Sequence, residues 1–118
     1  MHLRPSPPSP LPPFAVAVDT DGRQARVTPR GELDVATVPP LERAVAELCE
    51  QDVTDVVLDL RELTFFDSTA LCLLLRLDAR MHDERRRLAL VVGDGIAARV
   101  LDLTRTRGRF RCDEADRG

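Results

Sequence analysis

Three polar residues, Asp67-Ser68-Thr69, interrupt an otherwise apolar stretch, LTFFDSTALCLLL, that runs from residue 63 to residue 75. An acid and two hydroxyls just ahead of a leucine-rich run have two uses. One side-chain oxygen can cap a helix beginning near Ala70, satisfying an amide that the first turn leaves unpaired and contributing about 1 kcal/mol. A capping box would place Glu or Gln three residues after the cap, but Asp67 is followed there by Ala70 and Ser68 by Leu71. A single cap also accounts for only one polar residue of the three. The second use is regulatory. A hydroxyl presented at a helix N-terminus sits where phosphate is electrostatically favoured, and phosphorylation there sets about two negative charges beside Asp67. A protein docked on that helix would then meet like-charge repulsion and a desolvation cost. The residues themselves leave capping and switching both open.

Other chemistry is less well supported. LVVGDGIAA (90–98) has the G-x-G-x-x-A spacing of a dinucleotide fingerprint, with Gly93 and Gly95 free to let amides approach a phosphate. That fingerprint belongs in a first βαβ unit, whereas only 20 residues follow Ala98, so a glycine-bearing strand-to-helix turn is expected. Asp59 and Asp67 are the one carboxylate pair that acid–base catalysis would use. Asp59 lies in an apolar strand and reads as a structural acid, with no histidine or activated nucleophile near it in sequence. The chain is not expected to be an enzyme. His2 and His82 are the only histidines, and Cys49, Cys72 and Cys112 have no C-x-x-C spacing, so neither a metal nor another cofactor is expected. Cys49 and Cys72 fall on apolar helix faces and are expected in the core. The odd cysteine count, with no signal peptide and no long apolar run, points to a cytoplasmic protein without membrane attachment.

The formal charge is −3, and all 17 basic residues are arginine. Lysine, asparagine, tryptophan and tyrosine are absent, as in the product of a GC-rich genome. Acids and bases are interspersed, which leaves no basic stripe for direct nucleic-acid binding. The one cluster, Arg85-Arg86-Arg87, precedes an apolar run and reads as a solvated turn. The four aromatics are all phenylalanine and offer no stacking platform for bases.

These residues need elements to hold them. Residues 1–13, MHLRPSPPSPLPP, are proline-rich and read as a disordered tail whose PxxP spacings are of the kind that proline-reading modules bind. FAVAV (14–18), DTDG (19–22) and QARVT (24–28) form a β-hairpin. Pro29 suggests an edge or a bulge in its second strand, with RGELD leading out of it. Thr37 caps a helix carrying Pro39 and Pro40 in its first turn and Leu41, Ala44, Val45, Leu48 and Cys49 on its apolar face. DVVLDL (55–60) and LALVV (88–92) have the continuous apolar character of buried strands. Leu71, Leu74, Leu75 and Met81 mark the buried side of a second helix ending near HDERRR, and Ile96, Val100 and Leu103 that of a third. The pattern is α/β, with a mixed sheet, an N-terminal antiparallel hairpin and parallel crossovers.

In this order the residues resemble a STAS domain of the bacterial anti-sigma factor antagonist family. The resemblance rests on the hairpin, GELD (31–34), VVLDL (56–60), LTFFDSTAL (63–71), LALVV (88–92) and VLDLT (100–104), and extends from about Phe14 to Phe110. It implies a single STAS domain over residues 14–112, with helices mainly on one face of the sheet, between the tail at 1–13 and a short C-terminal tail at 113–118. It implies binding, in unphosphorylated form, to an anti-sigma factor that is also a serine protein kinase, which frees the sigma factor and regulates transcription. Phosphorylation of Ser68 would reverse that binding, and a phosphatase would restore it. Partner contacts would come from Asp34, Asp67, Ser68, Thr69 and Ala70, and a homodimer remains open. Three departures stand out: Ala70 replaces the family's usual glycine, LTRTRGRF (103–110) replaces a Thr-Gly-Leu sequence, and residues after Cys112 are too few for a further helix. Ala70 and the short end motivate an alternative, a STAS scaffold or a subunit of a larger regulatory or transport assembly that no phosphate controls.

Overall fold

The computed structural model describes residues 14–113; the expected tail at 1–13 and all but Asp113 of that at 113–118 lie outside the described residues. The described residues open with β1 (Ala15–Asp21) and β2 (Gln24–Leu33), an antiparallel hairpin turning at Gly22 with φ +65°. Helix α1 (Val38–Glu50) follows, then β3 (Asp55–Asp59), β4 (Leu63–Phe66), α2 (Ser68–Asp83), β5 (Arg87–Val91), α3 (Ile96–Leu103) and the short β6 (Arg111–Cys112). The strands lie in the order β1-β2-β3-β5-β6, and β4 pairs separately with β2. All pairings beyond the hairpin are parallel, as crossovers through α1, α2 and α3 require. The α/β architecture, mixed sheet and N-terminal hairpin expected from the sequence are all present.

One face of this sheet meets the helices. Val27, Val56, Leu58 and Leu90 from the strands pack with Leu41 and Val45 of α1, Leu73, Leu74 and Leu77 of α2, and Leu101 of α3 in a single buried cluster. Alternation turns Arg26, Thr28, Val57 and Asp59 to the other face. Two helices are rotated from the expected facing. In α2 the buried residues are Ala70, Leu73, Leu74, Leu77 and Met81, while Leu71 and Leu75 are half-buried and Cys72 is exposed. In α3 Ala97, Ala98 and Leu101 are buried, and Leu103 is 76% exposed. In both cases alanines take inward positions because a small side chain lets the helix approach the sheet.

Pro29 marks a local edge and not a bulge. Strand β2 pairs with β3 through Val27 and resumes with β4 at Gly31, so Pro29 falls in the interval where no neighbour on that side needs its missing N–H. The register shift comes two residues later, between Gly31 and Glu32, where Gly31 adopts φ +105°. RGEL therefore belongs to the strand. Arg85 ends α2's last turn with φ +59°, and the Arg86 guanidinium bonds the Val53 carbonyl and Glu84, so the arginine cluster builds a turn.

Asp59, 5% exposed, receives the Arg61 amide and Nε at 3.0 Å on Oδ1, and Arg61 Nη2 at 2.9 Å and Arg26 Nη2 at 3.1 Å on Oδ2. The Arg61 stem crosses Gly93, where a Cβ would lie 2.8 Å from Arg61 Cγ and φ is +67°. Gly93 thus makes room for an arginine, as a turn glycine rather than a phosphate cradle. Burial alone would raise the Asp59 pKa, but hydrogen bonds from Arg61 and Arg26 outweigh it and hold the carboxyl below its ordinary value of 3.8. A folded pKa below the unfolded one stabilises above the unfolded value and loses that contribution as pH falls through the folded one. Asp59→Ala is expected to cost about 2 kcal/mol at neutral pH, by loss of charge-assisted hydrogen bonds. Urea unfolding should show the gap between the two proteins closing on acidification below the ordinary carboxylate pKa. A gap that persists at the acid end contradicts this role.

Candidate docking site at two helix N-termini

The bulge at Gly31 has a direct consequence at the end of the sheet. Beyond it, Glu32 and Leu33 pair in parallel with Phe65 and Phe66 of β4. Leu33 and Phe66 are buried, 0% and 3% exposed, and their pairing brings the two strands to a common finishing line. The next residues are Asp34 and Asp67, on strand ends about 5 Å apart. Each then leads into a helix, α1 or α2, so two helix N-termini open on one edge.

Both acids are occupied by the backbone they start. Asp67 is the N-cap of α2: its Oδ1 accepts the Ala70 amide at 3.0 Å, while its carbonyl accepts the Leu71 amide at 3.0 Å. The helix therefore begins at Ser68, two residues earlier than the sequence suggested. Asp34 Oδ1 accepts the Ala36 amide at 3.0 Å and the Thr37 amide at 3.2 Å. Thr37 occupies the cap position of α1, but its hydroxyl makes no cap bond into the helix. That hydroxyl instead donates to the Glu32 carbonyl at 2.6 Å and receives the Asp34 amide at 2.9 Å, tying the loop back to β2. Asp34 serves the start of α1 through its main chain, its carbonyl accepting the Val38 amide at 2.9 Å, while its carboxylate braces the turn ahead of the helix.

Between these anchors the surface is defined. Ser68 is exposed in the first turn of α2, and no hydrogen bond engages its hydroxyl among the described residues. Thr69 is half-buried, as are Asp34 and Asp67. Ala70 is not a surface residue. It is 0% exposed, so its methyl lies in the core and cannot touch a visiting protein; Ala70 supports the site only from beneath. Sequence reasoning missed two neighbours, Val35, 73% exposed beside Asp34, and Phe65, 42% exposed on β4. The only signal for them was apolar residues adjoining each acid. Cys72, expected in the core, lies exposed one helical turn beyond Ser68 on the same side of α2. The edge offers one accessible hydroxyl, two anchored carboxylates and two apolar side chains, an arrangement suited to adhesion and to acceptance of a charged group.

Comparison with known proteins places this edge in context. The family model for the Mlab-type STAS domain matches residues 16–107. No match was found among curated proteins. An anti-sigma factor antagonist from Mycobacterium paratuberculosis superposes with a TM-score of 0.73 at 21% identity, covering 88% of each chain. The anti-sigma factor antagonist SpoIIAA in its unphosphorylated form gives 0.71 at 18% identity, covering 87% of this chain and 91% of that one. The Bacillus cell fate determinant SpoIIAA in its phosphorylated form gives 0.66 at 16% identity, with coverage of 87% and 95%. At these identities the likeness is one of fold.

Asp67→Ala should lower stability by about 1 kcal/mol through loss of the cap, while Asp67→Asn, which keeps an acceptor at the same place, should lie within a few tenths of wild type. Urea midpoints check both. Equal losses in the two variants would mean that the charge, and not the cap, is what α2 needs.

Proposed function

The chain belongs to the STAS domain family, and from that premise we propose that it is an anti-sigma factor antagonist that works by reversible docking. Its partner on this reading is an anti-sigma factor that is also a serine protein kinase. The unphosphorylated chain binds this partner, and the sigma factor is released to act in transcription. The kinase then phosphorylates Ser68 and the antagonist lets go, until a phosphatase removes the group. The chain itself binds rather than catalyses, and contacts no nucleic acid directly. No described helix is long and apolar enough to cross a membrane, and the reading places the protein in the cytoplasm with its partner.

The observation that carries this proposal is the exposed, unengaged Ser68 hydroxyl next to a carboxylate already fixed by the helix. Because Asp67 is anchored on the Ala70 amide, a phosphate on Ser68 cannot displace it without uncapping α2. The added charge is therefore set against a stationary acid and against whatever protein covers the edge. Apolar contacts at Val35 and Phe65 supply adhesion that a phosphate-bearing, freshly hydrated edge would weaken. Asp34, Asp67, Ser68 and Thr69 are the proposed contact residues. The scaffold alternative loses its main motive, since the Ala70 methyl points inward and leaves the approach to Ser68 open.

The experiment is capture of the partner from native cytosol by the tagged chain, followed by incubation with ATP and intact-mass measurement. One phosphate is expected on wild type and none on Ser68→Ala. Ser68→Asp should bind the captured partner on the order of 10- to 100-fold more weakly. Ala70→Gly should be labelled at the wild-type rate, although about 1 kcal/mol less stable. Labelling of Ser68→Ala, or undiminished binding by Ser68→Asp, overturns the proposal.

A further inference from the structure

At the opposite side of the sheet from β6, strand β1 has no neighbour beyond it among the described residues. An open edge strand is a template for pairing, and proteins usually blunt one with charge, proline or a bulge. Within Phe14–Val18, FAVAV, none of these is present. Pro13 bounds the window on one side and Asp19 on the other. The flank of α1 above this edge is also unpartnered among the described residues. Helix α1 packs on β1 and β2, and on its inner side Glu42 pairs with Arg76 of α2 at 3.3 Å. Its outer side carries Pro40, Arg43, Ala44 and Glu47, a single stripe at helical spacing. Between this stripe and β1 runs an open groove of about 400 Å³, with Phe14, Val16, Pro40 and Ala44 in its wall. Arg43 and Glu47 are exposed, and neither takes an ion-pair partner among the described residues.

We propose that this side of the molecule is a homodimer interface, in which β1 pairs antiparallel with the β1 of a second copy about a two-fold axis at Val16. Three features select a second copy as the occupant. Pairing about Val16 matches Phe14 with the partner's Val18 and Ala15 with the partner's Ala17. The apolar window is thus complementary to itself, and Val18, 45% exposed in the monomer, gains an aromatic cover. The same axis leaves Asp19 and Asp21 outside the paired window, away from their counterparts. Finally, a two-fold perpendicular to the sheet keeps both α1 helices on one face and runs them antiparallel. Seated over β1 and β2, each lies about two strand spacings from its mate, roughly 10 Å, the distance at which helices pack. Val16 shares its groove with Ala44 and Glu47, so Arg43 of each copy comes opposite the partner's Glu47. The interface is isologous, with an apolar centre and a complementary charged rim. Thr37 lines one end of this groove, so the interface reaches the Asp34 loop, while Ser68 is not among the residues of the groove wall.

Sedimentation equilibrium of the full chain over a wide concentration range tests this. Wild type is expected to be dimeric at the upper end. Arg43→Glu and Glu47→Arg should each weaken association on the order of tenfold by setting like charges across the axis, and the double reversal should restore it. Val18→Lys should yield a folded monomer, checked by an unchanged circular dichroism spectrum. Ser68→Asp should dimerise as wild type does, which separates this interface from the docking edge. A monomeric wild type, a dimer indifferent to Val18→Lys, a double reversal no tighter than the single ones, or protection of β1 only when a different protein is added overturns the proposal.

Discussion

Strand β2 changes partners part-way along its length, and the edge that carries Asp34, Asp67 and Ser68 depends on where it does so. Its first half lies against β3 and its last three residues against β4, with Gly31 at φ +105° absorbing the shift. A side chain there would need a backbone conformation that only glycine adopts freely, and its Cβ would sit 3.4 Å from the Phe14 Cα. Because the pairing after the bulge is parallel, Leu33 and Phe66 finish level. The two acids that follow are then neighbours, although 33 positions separate Asp34 from Asp67 in the chain. The GELD segment thus acquires a physical meaning residue by residue: a glycine for the shift, a carbonyl from Glu32 that holds Thr37, a leucine for the core and an aspartate to start α1.

Both aspartates are structural before they are anything else. Asp67 supplies a carboxylate oxygen to an amide that the start of α2 leaves unpaired, and Asp34 supplies one to the amides of the turn that leads into α1. Capping and switching, which the sequence alone leaves as rival explanations of Asp67-Ser68-Thr69, are therefore compatible. The acid caps, and by doing so becomes a fixed charge beside a free hydroxyl. A site built this way can change its surface charge while the fold beneath it stays still, because Ala70, Leu73 and Leu74 anchor the first turns of α2 in the core.

The element order, the hairpin and the buried strands were legible because the apolar runs at 56–60 and 88–92 and the turn chemistry at 19–22 admit few other readings. Asp67 as a cap candidate was legible for the same local reason. What failed were questions settled by tertiary packing. Leucine-rich α2 has more apolar residues than its buried stripe can take, so sequence periodicity could not say that Leu73 and Leu77 face in while Leu71 and Leu75 sit at the margin. Short α3 gave too little periodicity to choose Leu101 over Leu103. Thr37 looked like a cap because its type and place were right, but a carbonyl from β2 lay closer than any helix amide. Ala70 looked like a contact residue by analogy of position, and only its depth in the core shows that its methyl faces the leucines beneath it. Pro29 signalled an edge, and the edge is only the gap between two neighbours, because a strand with different neighbours along its two halves has no signature in one dimension.

The most direct measurement of this account is the amide spectrum of the chain with phosphoserine incorporated at position 68, compared with the unmodified chain. Shifts are expected for residues 67–71 and, across the paired strand ends, for Asp34, Ala36 and Thr37, with β3 and β5 unchanged. Perturbation spreading through β3 and β5, or an Asp34 loop that does not respond at all, would contradict the claim that one strand pairing joins the two helix starts into a single surface.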